Sequence, residues 1–231
     1  MIGIWFSFAP DAKCLLESVI CFRKTFPDNK ICISDDPHNP ISEEIKKLIK
    51  PDYYELRNWS SKSNLNGWEC IKGILNLQIK LQDLFPGYPG AIKIDCDTLV
   101  GDSSWIDLEK PISGFDLGTE CLFAGMARYL RKDVPQIILD ELSTRWQWDI
   151  ARVPEDQGIS VYCLKLFGKE CNSIKWFDGA RSYSYTDDSK NKKFAKVITF
   201  GNRNEIKDHS PDDKRRIAGE AMEIYRKLHF S

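Results

Sequence analysis

Within the first 100 residues, four short apolar runs alternate with stretches of helical periodicity, and that alternation leaves few folds open. Ile2–Phe8 ends at Ala9-Pro10 and reads as a strand followed by a turn. Asp11 is placed to cap a helix through about Phe26, with Leu15, Val19, Phe22 and Phe26 at helical spacing. Lys30–Ser34 is a second strand, stopped by Asp35-Asp36-Pro37. Ile41–Ile49 reads as a helix capped by Ser42, with Ile45, Leu48 and Ile49 facing inward, and Tyr53–Leu56 as a third strand. Arg57–Gly67 is a polar loop, Trp68–Phe85 a long amphipathic helix, and Ala91, Ile92 and Ile94 mark a fourth strand. The order β-α-β-α-β-loop-α-β is that of a parallel sheet covered by helices.

The remainder is less regular. Ile112–Ala124 predicts one or two strands antiparallel to the sheet. Pro135–Trp148 predicts a helix, and Pro154–Gly158 a turn feeding a short helix over Ile159–Leu166. Ile174–Phe177 and Lys196–Phe200 read as strands, Tyr183–Lys196 as a solvated loop. Asp212–His229 reads as a terminal helix with Ile217, Ala221, Ile224 and Leu228 on one side. With no repeat and no strong linker, the expectation is one α/β domain over 1–231. It has a Rossmann-like half at 1–100, and an irregular half with a C-terminal helix at 101–231.

Thirty-three basic and 34 acidic residues balance, which argues against nucleic acid as a partner. No apolar run reaches about 18 residues, and MIGIWFSFAPDAK reads as a first strand, not a leader. Eight cysteines without a C-x-x-C pair, most inside apolar runs, predict reduced buried thiols and a cytoplasmic protein. The terminal helix carries Lys214, Arg215, Arg216, Arg226 and Lys227. Packing on the domain is the simpler reading of that helix, and peripheral contact with an inner membrane face the other.

The chemistry concentrates at Asp95-Cys96-Asp97. Alternation along a strand turns residues i and i+2 to the same side, so both carboxylates converge at the sheet's carboxyl edge, where open α/β sheets bind ligands. Paired carboxylates suit a hard divalent cation, which can in turn hold phosphate oxygens. A second acidic segment, Pro154-Glu155-Asp156-Gln157, reads either as a helix first turn or as a catalytic motif.

An α/β half, then IKIDCDTLV, then an irregular half with EDQ, resembles the GT-A fold glycosyltransferases over roughly residues 1–205. The resemblance implies a hexosyltransferase-like enzyme of glycan or polysaccharide biosynthesis. Its cofactor would be Mn²⁺ or Mg²⁺, its donor a UDP- or GDP-sugar, and its acceptor a glycan or lipid-linked hydroxyl. It implies Asp97 as metal ligand, and Asp95 on the metal, a metal-bound water or the ribose with Cys96 between them. Asp35 and Asp36 would face base or ribose, and Phe8 and Ala9 would form the adjacent wall. Arg57, Asn64, Asn66 and Gly67 would lie near the diphosphate. Asp156, with Glu155, would take the acceptor proton in an inverting enzyme, or orient the sugar in a retaining one. A histidine expected near the late strand is replaced by Thr199, which leaves His209 as the candidate third ligand.

Two alternatives remain. DCDTL also matches the nucleophile motif of a haloacid-dehalogenase-type phosphatase, with Asp95 attacking phosphorus. That motif normally ends the first strand, and its usual glycine is here Thr98. The other alternative is a non-catalytic nucleotide-sugar-binding module. A sugar-nucleotide pyrophosphorylase would need a glycine-rich loop that FSFAPDAK lacks.

Overall fold

The computed structural model describes residues 1–59, 67–116, 126–144, 155–192 and 194–230. The first half follows the expected alternation: β1 (Ile2–Ser7), α1 (Ala12–Thr25), β2 (Lys30–Asp35), α2 (Glu43–Ile49), β3 (Tyr53–Leu56), α3 (Trp68–Leu84) and β4 (Gly90–Ile94). The second half contains β5 (Thr98–Val100), β6 (Ile112–Asp116), β7 (Ala127–Arg131), α4 (Val134–Thr144) and α5 (Glu155–Phe167). It continues with β8 (Asn172–Lys175), α6 (Trp176–Gly179), β9 (Ala180–Ser182), α7 (Asp188–Asn191), β10 (Val197–Thr199) and α8 (Pro211–His229).

Seven strands form a mixed sheet in the order β3-β2-β1-β4-β7-β6-β8, and β5-β10-β9 form a second, small sheet. β1 to β4 are mutually parallel. The chain steps outward from β1 to β3 and then returns to place β4 on the other side of β1. The strand order therefore reverses between β1 and β4, where a crevice opens at the carboxyl ends.

The pleat sorts β1 between two layers. Trp5 meets Phe22 of α1 edge-on at 5.2 Å, while Ile2 and Ile4 pack with Leu77 and Leu81 of α3. Ser42 caps α2 by accepting from the Ile45 amide at 3.3 Å. Asp11 precedes α1 without a side-chain capping bond, because its carboxylate is turned toward two arginines.

Several expectations are corrected. β6 is antiparallel to β7 but parallel to β8, and so runs in the sense of β4. The antiparallel neighbour of β4 is β7, whose Arg128 and Arg131 disguise a strand. α5 starts at Glu155, earlier than its apolar spacing implied. Tyr183–Lys196 contains β-contacts and α7, and is tied down by Asn191, which accepts from the Ser184 amide and donates to the Ser184 carbonyl. On α8 the buried face is Ala218, Ala221, Met222 and Tyr225, whereas Ile224 and Leu228 are exposed. Leu48 of α2 is likewise exposed. α8 packs along α1, joined by Lys13–Glu223 at 2.6 Å and Arg226–Glu17 at 2.7 Å. The cysteines among the described residues are free thiols, and Cys121 lies outside those residues. Among the described residues no helix is long and apolar enough to cross a membrane.

Candidate active site at the Asp95–Asp97 turn

β4 delivers Asp95 and Asp97 to a turn beside the end of β1, closed by the Thr98 amide donating to the Asp95 carbonyl at 3.0 Å, and in that turn the two aspartates differ in exposure from Cys96. Both aspartates are partly exposed, while Cys96 is buried and its thiol donates to the Phe6 carbonyl at 3.5 Å. Cys96 is thereby corrected from ligand contact to core contact. Beyond Asp97 the chain enters β5, which pairs with β10, and the Phe200 amide donates to the Asp97 carbonyl at 2.8 Å. The loop after β10 is thus fixed directly over the turn.

That loop brings Arg203, whose Nη2 donates to Asp97 Oδ2 at 2.7 Å. Arg203 Nη1 lies 3.7 Å from Asp11 Oδ1, and Arg215 Nε from α8 lies 3.4 Å from the same oxygen. The Arg215 guanidinium also sits 5.1 Å from the Phe8 ring centroid. Burial raises the Asp97 carboxyl above its ordinary range, and Arg203 opposes that rise. Asp11 is raised likewise by burial, against Arg203 and Arg215.

On the other side, Lys93 and Asp95 share one face of β4. Lys93 Nζ reaches Asp95 Oδ1 at 2.5 Å and Glu155 Oε1 at 2.8 Å. Arg128, the cross-strand partner of Lys93, donates from Nη2 to Glu155 Oε2 at 2.7 Å. Lys93, Arg128 and Glu155 are all buried. Burial alone would raise Glu155, but Arg128 and Lys93 outweigh it and hold the carboxyl down at about 2. Glu155 is therefore held as an anion between Lys93 and Arg128. Asp156, next in the first turn of α5, is only half-buried.

The expected nucleotide contacts divide. Phe8 and Ala9 do line the end of β1, with the Ala9 amide donating to the Asn39 carbonyl at 2.8 Å. Asp35 is fully buried and already accepts from Ser7 Oγ, the Ile41 amide and the Tyr54 hydroxyl at 2.7–2.8 Å. It closes the turn after β2. Arg57 is buried, and its Nη1 donates to the carbonyls of Ser7 at 3.1 Å and Ser34 at 2.9 Å. Asp36 is buried too, accepting from the His38 amide at 2.9 Å. Asn64 and Asn66 lie outside the described residues.

The expected Mn²⁺ or Mg²⁺ meets a donor set that fits. Asp95 and Asp97 are hard oxygen donors, and Gly201 keeps space open beside them. A Cβ at Gly201 would stand 3.4 Å from both Asp97 Oδ2 and Thr199 Oγ1. His209, the expected third ligand, is not brought to the two aspartates in this structure. It is exposed, follows the loop toward Asp213 of α8, and joins no three-residue metal cluster among the described residues.

Sequence reasoning missed Asp11, Lys93, Arg128, Arg203 and Arg215. Only Lys93 carried a readable signal: a lysine two residues before Asp95 within an apolar strand must share its face.

No family model matches the chain, and no curated protein matches it. Solved structures do. A glycosyltransferase involved in the glycosylation of the major capsid of PBCV-1 aligns with a TM-score of 0.59 and 12% identity, over 96% of this chain and 98% of its own. The galactosyltransferase LgtC, in complex with donor and acceptor sugar analogs, aligns with a TM-score of 0.55 and 11% identity, over 96% of each chain. The bifunctional glycosyltransferase WbbM aligns with a TM-score of 0.53 and 13% identity, over 100% of this chain and 52% of its own. With the reversal of strand order at β1 and β4 and the acidic turn at that edge, these likenesses identify the scaffold: the chain has the GT-A fold.

Proposed function

We propose that this chain is a glycosyltransferase that moves a sugar from a UDP- or GDP-sugar to a hydroxyl of a glycan or lipid-linked acceptor, in the presence of Mn²⁺ or Mg²⁺. The observation that carries the reading is that Asp95 and Asp97, both partly exposed and acting on one another electrostatically, follow β4 at the switch point of a GT-A sheet. Asp95 and Asp97 would hold the ion, which supplies Lewis-acid neutralisation of the departing diphosphate. Phe8 and Ala9 form the floor beneath the nucleotide, and Arg203 and Arg215 place positive charge at the same mouth. Asp156 stands at the start of α5; in an inverting enzyme it takes the proton of the acceptor oxygen as that oxygen attacks the anomeric carbon and the diphosphate leaves, and in a retaining one it orients the sugar. The phosphatase alternative needs the acid pair on the first strand, whereas here it ends the fourth.

The test is a thermal-shift screen of UDP- and GDP-sugars with and without Mn²⁺. A ligand at about 100 times its dissociation constant stabilises by roughly 2.7 kcal/mol, which raises Tm by about 5–10 °C in a chain of this size. No shift with any nucleotide sugar refutes the proposal. Asp156→Asn separates catalysis from binding: turnover should fall by about 10²-fold or more with nucleotide affinity retained. Unchanged turnover removes Asp156 from the mechanism.

A further inference from the structure

Away from the acidic turn, a cavity of about 390 Å³ opens between the end of β3 and the exposed side of α3. Small-molecule sites span roughly 300–1,000 Å³, so its size suffices for a ligand. Asp95, Asp97 and Asp156 do not line it. Its aromatic wall is Trp59, which two contacts hold in place. The indole lies against Gly73 of α3, where a Cβ would stand 2.1 Å from Trp59 Cδ2. Glycine is a poor helix former, and its place inside α3 keeps the room the ring needs. Phe6 of β1 meets the same indole edge-on at 5.6 Å. So held, Trp59 is still partly exposed.

The polar lining narrows the ligand. Among the described residues that line the cavity, two carboxylates and two ammonium groups cancel. They are also paired already: Lys72 lies 3.2 Å from Glu69, and Lys80 lies 3.6 Å from Glu55. Glu55 further accepts from Ser34 Oγ at 3.0 Å and from the Tyr53 hydroxyl. A phosphate or another ion finds no net charge there. Asn58 and Asn76 are exposed, and each amide offers donors and an acceptor together. A sugar has the matching chemistry: an apolar C–H face for the indole, and hydroxyls at its rim for the amides. A ring fixed in advance loses little freedom when a ligand packs on it.

We propose that this cavity is a saccharide-binding site separate from the Asp95–Asp97 turn, with Trp59 as the platform for a sugar ring and Asn58 and Asn76 as partners of its hydroxyls. The experiment is NMR of the full chain with ¹⁵N-labelled tryptophan, without metal or nucleotide. Trp59→Phe assigns the Trp59 indole N–H by its disappearance. Lactose, cellobiose, maltotriose and chitobiose are titrated one at a time. At least one should shift the Trp59 signal to saturation, and no shift with any of them overturns the inference. For a sugar that binds, Asn58→Ala and Asn76→Ala should each weaken affinity about 2- to 10-fold, the loss of one hydrogen bond. Asp97→Asn should leave that affinity unchanged. Unaltered affinity in both asparagine variants, or binding lost in Asp97→Asn, puts the sugar elsewhere and overturns the inference. A Trp59 signal that answers to UDP and to no saccharide makes the cavity part of a nucleotide site, which also overturns it. If Trp59→Phe does not fold, calorimetric titration of the asparagine variants decides by the same criteria. Neither metal nor donor takes part, so failure here leaves the glycosyl-transfer reading standing, and failure of that reading leaves this site standing.

Discussion

Replacing Glu155 by leucine should destabilise the chain by about 3–5 kcal/mol, the usual consequence of removing one partner from a buried ion pair. Arg128, fully buried, would lose its 2.7 Å carboxylate, and Lys93 its 2.8 Å contact. At roughly 2–4 °C per kcal/mol for a chain of this length, Tm should fall by about 6–20 °C. The pH dependence has a definite sign. The Glu155 carboxyl is lowered from 4.5 to about 2, so its stabilising contribution is complete above about pH 4.5 and is lost as pH falls toward 2. The wild type should lose this stability over that window, and Glu155→Leu should lack that part of the acid limb. Most of the deficit is uncompensated charge and not lost attraction. Converting Lys93 and Arg128 to methionine in the Glu155→Leu background should therefore restore much of it. Urea unfolding at pH 7 and pH 3 measures all of this. A Glu155→Leu variant within about 1 kcal/mol of wild type would mean that Arg128 has another counter-charge.

Periodicity made the parallel half legible. β3 at Tyr53–Leu56 and α3 from Trp68 follow directly from apolar spacing and punctuation. The misses have physical causes. β5 and β9 span three residues each, too few for a period, and are held by pairing on either side of β10, the strand that Lys196–Phe200 did mark. β7 contains Arg128, which reads as solvent-facing until Glu155 arrives from 27 residues away. On α8, Ala218, Gly219 and Ala221 share the buried face with Met222 and Tyr225, and the small residues let α8 approach α1. A Cβ at Gly219 would stand 2.4 Å from Lys13 Cγ. Within the site, Asp95 and Asp97 were readable because they end a strand. Asp35 ends a strand too, yet closes its own turn, and nothing local distinguishes the two cases. The counter-charges Lys93, Arg203 and Arg215 were unreadable as site residues because pairing across the fold creates their role.

Asp97→Ala is expected to abolish divalent-dependent nucleotide binding. Asp97 and Asp95 are the carboxylates that the Asp95–Asp97 turn turns outward, and no third protein ligand joins them among the described residues. A dication that keeps waters readily is held by two carboxylates and phosphate oxygens, but one carboxylate gives little selectivity over solvent. Fold stability should hardly change. Asp97 is partly exposed, and Arg203, on losing its 2.7 Å partner, still has Asp11 at 3.7 Å. This contrast separates Asp97 from Glu155: the first should lose binding with its Tm retained, the second should lose Tm. Asp97→Asn sharpens the result, because the amide keeps the shape of the turn and removes only the charge. Calorimetric titration of UDP and GDP, each with Mn²⁺ and then with EDTA, measures the effect. If Asp97→Asn binds either nucleotide in Mn²⁺ as wild type does, then the ion is not held at this turn. Asp97 would instead serve to anchor Arg203, and the positive charge offered to a diphosphate would come from Arg203 and Arg215 themselves.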